Sequence, residues 1–164
     1  SERGRAQARA LAPAIGAIAW RSAWHTRFPR TRETLDLLLP DGRPPRQVIP
    51  ELDDIDVGEL EGQTIEAWRA WRRGRGLEEA PPGGESRIAV LQRYARGLER
   101  LGSEAALPAI VVCHDQAIRY LENVLAGDDP LFGRVQGIPN ATPYAYTCAD
   151  MALGAERLAA RASP

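Results

Sequence analysis

The segment Ala109-Ile110-Val111-Val112-Cys113-His114-Asp115 decides the fold predicted for this chain. Its first five residues form an unbroken apolar run of strand length, which is typical of a parallel strand covered on both faces. The polar pair His114-Asp115 follows at once, and a helix is predicted over about residues 116–125. His114 therefore stands where a strand ends and a helix begins, a position at which helix amides can bind an anion.

Predicted strands and helices alternate along the chain on both sides of this segment. Further strands are predicted over residues 17–24, 47–49 and 142–148. Apolar periodicity and capping residues predict helices over residues 2–15, 30–39, 65–73, 86–101 and 151–160. This alternation favours crossover connections and a mainly parallel sheet with helices on both faces. We therefore expect a three-layer α/β/α fold that binds ligands beyond the carboxyl ends of its strands.

Length and composition restrict the class of protein. The 164 residues, 44% of them hydrophobic, suit one globular domain over residues 1–164. A formal net charge of −1 predicts no binding to nucleic acid or to an anionic membrane surface. No apolar run approaches the about 20 residues that span a bilayer, and no secretory leader pattern opens the sequence. Because the cysteines are only Cys113 and Cys148, we expect a reducing, cytoplasmic location.

A second polar segment, Thr26-Arg27-Phe28-Pro29-Arg30, also follows a predicted strand. Arg30 lies near a helix start, where its guanidinium can bind a phosphate through two parallel hydrogen bonds, and Thr26 can add a hydroxyl. Two plainer interpretations stay open at this point. Arg30 can be a solvated helix residue in a chain whose 21 basic residues are all arginine, and His114 can be an ordinary core or surface residue.

An acidic segment with six carboxylates occupies residues 51–62, between a predicted strand and a helix. It lacks the Asp/Asn alternation and final carboxylate of a calcium loop, and the two cysteines and two histidines lack zinc-site spacing. Neither a GxxxxGK[ST] nor a GxGxxG pattern is present. We therefore expect no metal and no cofactor. One of the acids can instead donate a proton beside a phosphate, because the phosphate charge raises its pKa.

Taken in order along the chain, these segments resemble the histidine phosphatase superfamily, also called phosphoglycerate mutase-like. Residues 1–8 are similar to the family's L-T-x-x-G-x-x-Q-A helix start, residues 26–34 to S-x-L-x-R-A-x-x-T, and residues 54–62 to E-I-D-F-G-x-W-E-G. Residues 84–86 match a G-E-S before the long helix that holds Arg93, residues 111–114 resemble V-V-S-H, and residues 138–142 fit an asparagine turn before the last strand. The resemblance covers nearly the whole chain.

The resemblance implies roles for individual residues. Arg30 would be the phosphate-pocket arginine, His114 the second pocket histidine, and Asp54 the acid that protonates the leaving oxygen. Thr26 and Asp115 join Arg30 and His114 as expected phosphate-binding residues. The implied protein is a phosphoric monoester hydrolase that acts on a small-molecule phosphate ester through a phosphohistidine, without metal or cofactor. A homodimer is left open.

Two residues depart from the family's pattern. Asp54 stands where the family usually has glutamate, which is one methylene longer, so either the loop lies closer or Asp53 or Asp56 takes over. Asp115 stands where many members have glycine, which would alter the charge of the pocket and the choice of substrate. The short connection over residues 74–82 favours a phosphatase over a mutase, because it leaves little room for an insertion over the pocket.

The family's first strand ends in Arg-His-Gly, whose histidine attacks phosphorus, and this sequence contains no such triplet. Because that strand is central in the family's sheet, we expect it in a segment preceding Ser1, or replaced by another element. His25 is the spare histidine and a less favoured substitute for the nucleophile. Two other interpretations stay open: a non-catalytic phospho-ligand-binding or scaffold domain of the same fold, and a generic α/β domain whose motifs are coincidental.

Overall fold

Three short parallel strands form the sheet of this chain, whose computed structural model describes residues 1–163. They are β1 (Ser22–His25), β2 (Arg46–Val48) and β3 (Ala109–Val112). Strand β1 lies in the centre and pairs with β2 on one side and β3 on the other. All four residues of β1 are buried. This arrangement explains why the apolar run that forms β3 lacks alternating polar residues, since helices cover both faces of the sheet.

Six helices surround the sheet within residues 1–163. They are α1 (Glu2–Gly16), α2 (Pro29–Leu38), α3 (Ile65–Arg72), α4 (Arg87–Glu104), α5 (Asp115–Leu125) and α6 (Cys148–Arg161). The predicted cap Thr64 accepts a hydrogen bond from the Ala67 amide at the start of α3, and Ser86 does the same at the start of α4. None of the helices in residues 1–163 is both long enough and apolar enough to cross a membrane.

The two faces of the sheet bury different sets of helices, because successive strand side chains point to opposite faces. Ala23 and Ile110 pack with apolar side chains of α1 and α2 on one face. Trp24 packs on the other face with the larger cluster, to which α4, α5 and α6 contribute. Helices therefore cover both faces of a parallel sheet, and the predicted three-layer α/β/α fold is confirmed.

Two strand predictions need correction. In residues 17–24 only the end forms strand β1, while Ala17 caps α1 and the Trp20 indole donates to the Ile15 carbonyl at 2.7 Å. The strand predicted at 142–148 is absent from the described part of the chain. Thr147 and Asp150 form a capping box there, so α6 begins at Cys148, and the Tyr146 hydroxyl donates to Glu122 on α5. Tyr146 thus bonds to a helix, Tyr144 stacks on the Tyr146 ring, and neither joins the sheet.

Candidate active site at the strand ends

The polar residues that follow β1 and β3 meet at one edge of the sheet. The two strands are parallel neighbours, so their carboxyl ends lie side by side. Thr26 comes directly after β1, and His114 comes two residues after β3 as the N-cap of α5. The Thr26 hydroxyl oxygen lies 2.9 Å from His114 Nε2, and both residues are buried, with exposures of 0% and 5%. The structure therefore brings together two residues that are 88 positions apart in the sequence.

Arg30 reaches this pair from the first turn of α2. Pro29 opens the helix, a position that suits its fixed φ and missing N–H, and Arg30 follows. Arg30 Nη2 donates to Asp54 Oδ2 at 2.7 Å and to His114 Nδ1 at 3.0 Å. The guanidinium carbon lies 4.3 Å from the centre of the Phe28 ring, whose edge also meets the His114 imidazole. Because the Arg30 side chain is 56% exposed, its remaining donors are open to a ligand.

Asp54 is the acidic residue that reaches the cluster. Its Oδ2 lies 2.7 Å from Arg30 Nη2 and 3.6 Å from His114 Nδ1. Asp53 is buried and turned away, where it accepts from the backbone N of Arg27 at 2.9 Å and from its Nε at 2.5 Å. Asp56 accepts from the Gly58 amide within its own loop. The geometry therefore brings Asp54, and neither of the two neighbouring aspartates, to the arginine and the histidine.

Arg93 on α4 holds the acidic loop in place. Its Nη1 donates to the carbonyls of Glu51 at 2.9 Å and Asp53 at 2.8 Å, and its Nη2 to that of Asp54 at 3.3 Å. It also pairs with the Glu85 carboxylate. Burial acts to lower the Arg93 pKa, but the hydrogen bond and charge of Glu85 outweigh burial, so the pKa is raised. A permanently charged arginine thus fixes the backbone on which Asp54 is mounted.

The contacts of His114 define its tautomer. A guanidinium can only donate, so His114 Nδ1 accepts from Arg30, and in the neutral ring Nε2 then carries the hydrogen. That hydrogen is donated to the Thr26 hydroxyl, which donates to Thr31 Oγ1 at 2.9 Å. Thr31 in turn donates to the Phe28 carbonyl at 2.8 Å. The chain of donors ends on a backbone oxygen, so the imidazole has one favoured orientation.

Burial lowers the pKa of His114 below its ordinary value. The carboxylate of Asp54 acts in the opposite direction, and the positive charge of Arg30 lowers the pKa further. The net direction is down, which agrees with an imidazole that accepts from Arg30 and is therefore neutral. A neutral histidine between a cation and a carboxylate can take up a proton when more negative charge arrives.

The remaining site candidates lie at the margin of the cluster. Asp115 is exposed at the start of α5, and its side chain makes no hydrogen bond or ion pair within residues 1–163. His25 is buried, and its Nδ1 lies 2.7 Å from the Thr26 carbonyl. Burial raises the pKa of the Cys113 thiol to about 12, so no thiolate is available there near neutral pH. Across the described residues, His, Cys, Asp and Glu side chains form no group of three suited to a metal ion.

The model of the histidine phosphatase superfamily (branch 1) matches residues 1–159, and the chain belongs to this superfamily. It is 33% identical over 137 residues to the 2,3-bisphosphoglycerate-dependent phosphoglycerate mutase 2 of Gloeobacter violaceus, a match that covers 73% of this chain. The chain spans 60% of the length of that curated relative.

Solved structures share the same fold. A mycobacterial glucosyl-3-phosphoglycerate phosphatase in complex with inorganic phosphate is 27% identical, with a TM-score of 0.62 over 85% of this chain and 75% of that one. The alpha-ribazole phosphatase from Shigella flexneri is 23% identical, with a TM-score of 0.70 over 86% and 74% of the two chains. The second likeness bears on the fold alone.

Proposed function

We propose that this chain forms most of the active site of a phosphatase that hydrolyses a small-molecule phosphate monoester through a phosphohistidine, without a metal ion. The contact of Arg30 with both His114 and Asp54 at the carboxyl ends of the strands carries the proposal. A guanidinium, an imidazole and a carboxylate in mutual contact are the groups that phosphoryl transfer to histidine needs. Membership of the superfamily and the names of its relatives support the same reaction class.

The phosphate group of a bound ester competes with Asp54 for the guanidinium of Arg30. A phosphate dianion offers the guanidinium more charge than Asp54 does, so the donors of Arg30 turn from Asp54 towards the phosphate. The added negative charge raises the pKa of His114, and the imidazole gains a proton on Nδ1. Nε2 continues to donate to Thr26, and Nδ1 then donates to a phosphate oxygen. Arg30 and His114 together stabilise the charge that spreads over the transferring oxygens.

Asp54 is the proposed general acid and base. Once Arg30 has turned to the phosphate, the Asp54 carboxyl is left without its former ion-pair partner. It can then protonate the leaving oxygen as the phosphorus–oxygen bond breaks. In the second step, the carboxylate takes a proton from water as that water attacks the phosphohistidine. Thr26 acts as a positioning residue behind His114, because its buried hydroxyl is used by His114 and Thr31.

We propose that the attacking histidine comes from residues outside this sequence, as the family's Arg-His-Gly pattern implies. His114 uses both ring nitrogens, one with Thr26 and one with Arg30. His25 is oriented by the Thr26 carbonyl and makes no hydrogen bond with Arg30, Asp54 or His114 among the described residues. Neither His114 nor His25 is therefore placed to attack phosphorus. This favours one alternative, a domain that binds a phosphorylated ligand with Arg30 and His114 and does not hydrolyse it.

A phosphatase is favoured over a mutase by the connection between α3 and α4. A mutase must keep water away from its phosphoenzyme so that the phosphoryl group returns to a substrate. Residues 73–86 contain no further helix, and no residue of α3 is buried. So short a connection leaves little room for the insertion over the pocket with which a mutase would exclude water.

The test uses the natural protein that carries this chain, with its intact mass and N-terminal sequence determined on the same sample. We expect turnover of p-nitrophenyl phosphate, and Arg30→Ala should reduce it by about 10²-fold or more, because a pocket donor aimed at the transferring oxygens is lost. Arg32→Ala is the matched control on the same helix. Unchanged turnover in Arg30→Ala would contradict the assignment, and inorganic phosphate binding without any turnover would favour the non-catalytic alternative.

A further inference from the structure

A basic groove shares no lining residue with the site described above. Its cavity volume is about 650 Å³, and its lining comes from the end of α3, the loop after it, the start of α4, the end of α6 and Phe132. Arginine makes up 21 of the 164 residues but six of the ten that line this groove. This enrichment exceeds what the arginine-rich composition alone explains. We call this the arginine groove, and its six arginines are Arg69, Arg72, Arg73, Arg75, Arg87 and Arg161.

Most of the positive charge in the arginine groove is not balanced by carboxylates. Arg75 pairs with Glu79 at 3.7 Å, and Arg161 pairs with Asp129 at 2.6 Å. Within residues 1–163, no carboxylate lies within ion-pair distance of the other four, which are Arg69, Arg72, Arg73 and Arg87. The whole chain has a net charge of only −1, so this concentration of positive charge is local. These guanidinium groups repel one another, and an anion bound among them would reduce that repulsion.

Arg87 is fixed before any ligand arrives. Its Nη2 donates to the Arg75 carbonyl at 2.9 Å and to the Gly76 carbonyl at 3.2 Å. Burial lowers the pKa of Arg87, and the charge of Arg72 lowers it further, while Tyr120, Glu78 and Glu79 act in the opposite direction without reversing the shift. A positioned guanidinium loses little conformational entropy when it binds a phosphate or carboxylate. Arg87 is therefore the anchor of the groove, with exposed Arg72 and Arg73 beside it.

We propose that the arginine groove is a second anion site, which binds a small molecule carrying two or more phosphate or carboxylate groups. None of its lining residues belongs to the Thr26, Arg30, Asp54 and His114 cluster. A volume of about 650 Å³ is within the range of small-molecule sites and exceeds what one phosphate group requires. The proposal does not depend on the reaction assigned to His114.

Two tryptophans beside the groove report its occupancy. The rings of Trp68 and Trp71 stack with their centres 5.5 Å apart on α3. The Arg75 guanidinium lies over Trp71, 4.8 Å from the ring centre. An anion that draws Arg75 into the groove removes this cation from the indole face and changes the tryptophan fluorescence. Binding can therefore be followed without any enzymatic activity.

The probe is tripolyphosphate, titrated against the purified protein by fluorescence and calorimetry. The variant Arg72→Glu/Arg73→Glu changes two exposed arginines that have no carboxylate partner, and the fold should therefore persist. We expect it to weaken binding by at least about tenfold, since two charge-assisted contacts are reversed. The matched control is Arg43→Glu/Arg96→Glu, which alters the net charge equally at exposed positions outside the groove and should bind like the unaltered protein.

Three outcomes would overturn the proposal. Equal affinity in the groove variant and its control would mean that tripolyphosphate binds elsewhere. Loss of the fluorescence response in Arg30→Ala would mean that the probe occupies the His114 cluster. Equal weakening in Arg30→Ala and in the groove variant would mean that one molecule spans both places, as the anionic end of a substrate would. Tripolyphosphate binding that survives Arg30→Ala and is weakened by the groove variant supports a separate site, whether or not the protein hydrolyses phosphate esters.

Discussion

His114 combines burial with two fixed hydrogen bonds, and both features bear on its titration. The unfolded chain takes up a proton on this histidine near its ordinary pKa of about 6.5, whereas the buried ring does so only at lower pH. The stability that depends on this difference is therefore present above about pH 6.5 and is lost as the pH falls through the lowered folded-state pKa.

We predict that the free energy of unfolding of the unaltered protein falls more steeply between pH 6.5 and 5 than that of His114→Gln, where this titration is removed. Urea unfolding at a series of pH values measures both curves. The carboxylates titrate in both proteins, so their contribution cancels in the comparison. Parallel curves would show that His114 does not have a lowered pKa in the folded state.

Placement after predicted strands points to Arg30 and His114 as candidate site residues, because parallel strands bring their carboxyl ends together. Asp54 is singled out among the acids of its loop by the family resemblance alone. The supporting residues Thr31 and Arg93 could not be assigned partners in this way. Arg93 donates to the Asp54 carbonyl, which is 39 positions away in the sequence. No local sequence pattern indicates this contact. One feature could have indicated that Arg93 has a partner inside the protein, because it lies next to the buried Tyr94 on the apolar side of α4.

Helix α4 shows how packing decides the effect of a glycine. A Cβ on Gly97 would lie 2.8 Å from Leu52 Cδ2 and 3.0 Å from Glu51 Cβ, whereas a Cβ on Gly102 would meet nothing within 4 Å. Both positions are inside the same helix, so alanine improves helix propensity equally at each. The close approach at Gly97 lets the turn at residues 50–52 lie against the helix and so supports the acidic loop.

We predict that Gly102→Ala stabilises the protein by about 0.5–1 kcal/mol, while Gly97→Ala destabilises it by about 1–3 kcal/mol through overpacking. Urea unfolding of the two variants measures the difference, and each serves as the control of the other. A gain in stability for Gly97→Ala would show that Leu52 and Glu51 can move aside at little cost.

The elements themselves were mostly predictable, with errors of a few residues at their ends. Helices carry their own caps, as Thr64 and Ser86 do, so local sequence suffices for them. The strand expected at 142–148 failed because a strand also needs a neighbour in the sheet. The alternation of Tyr144 and Tyr146 satisfies a strand pattern, but Glu122 binds the Tyr146 hydroxyl and Thr147 starts a helix.

At the scale of the whole molecule, four of the carboxylates near the site form ion pairs with arginines. Asp53 bonds to Arg27, Glu85 pairs with Arg93 and Glu51 pairs with Arg100. Asp54 pairs with Arg30 in the same way. A divalent cation would therefore have to displace an arginine from any of these four acids, whereas Asp115 has no such partner within residues 1–163.

We predict that EDTA leaves both the p-nitrophenyl phosphate turnover and the melting temperature of the natural protein unchanged, because the proposed charge stabilisation comes from Arg30 and His114. Inductively coupled plasma analysis of the same sample checks that metal has been removed. Turnover that disappears with EDTA and returns with Mg²⁺ would refute a metal-independent reaction.

Helix α3 has no buried residue, so we expect it to open locally more readily than the helices that contribute to the core. Unwinding this helix exposes little new apolar surface, so its local opening free energy lies near the low end of the range within one protein. Its amides therefore exchange hydrogen with the solvent long before those of α4, seven of whose residues are buried. A protease that cleaves after arginine meets Arg69 and Arg72 in this stretch. We therefore expect cleavage after Arg69 or Arg72 to follow local opening of α3 and to precede unfolding of the three-layer core.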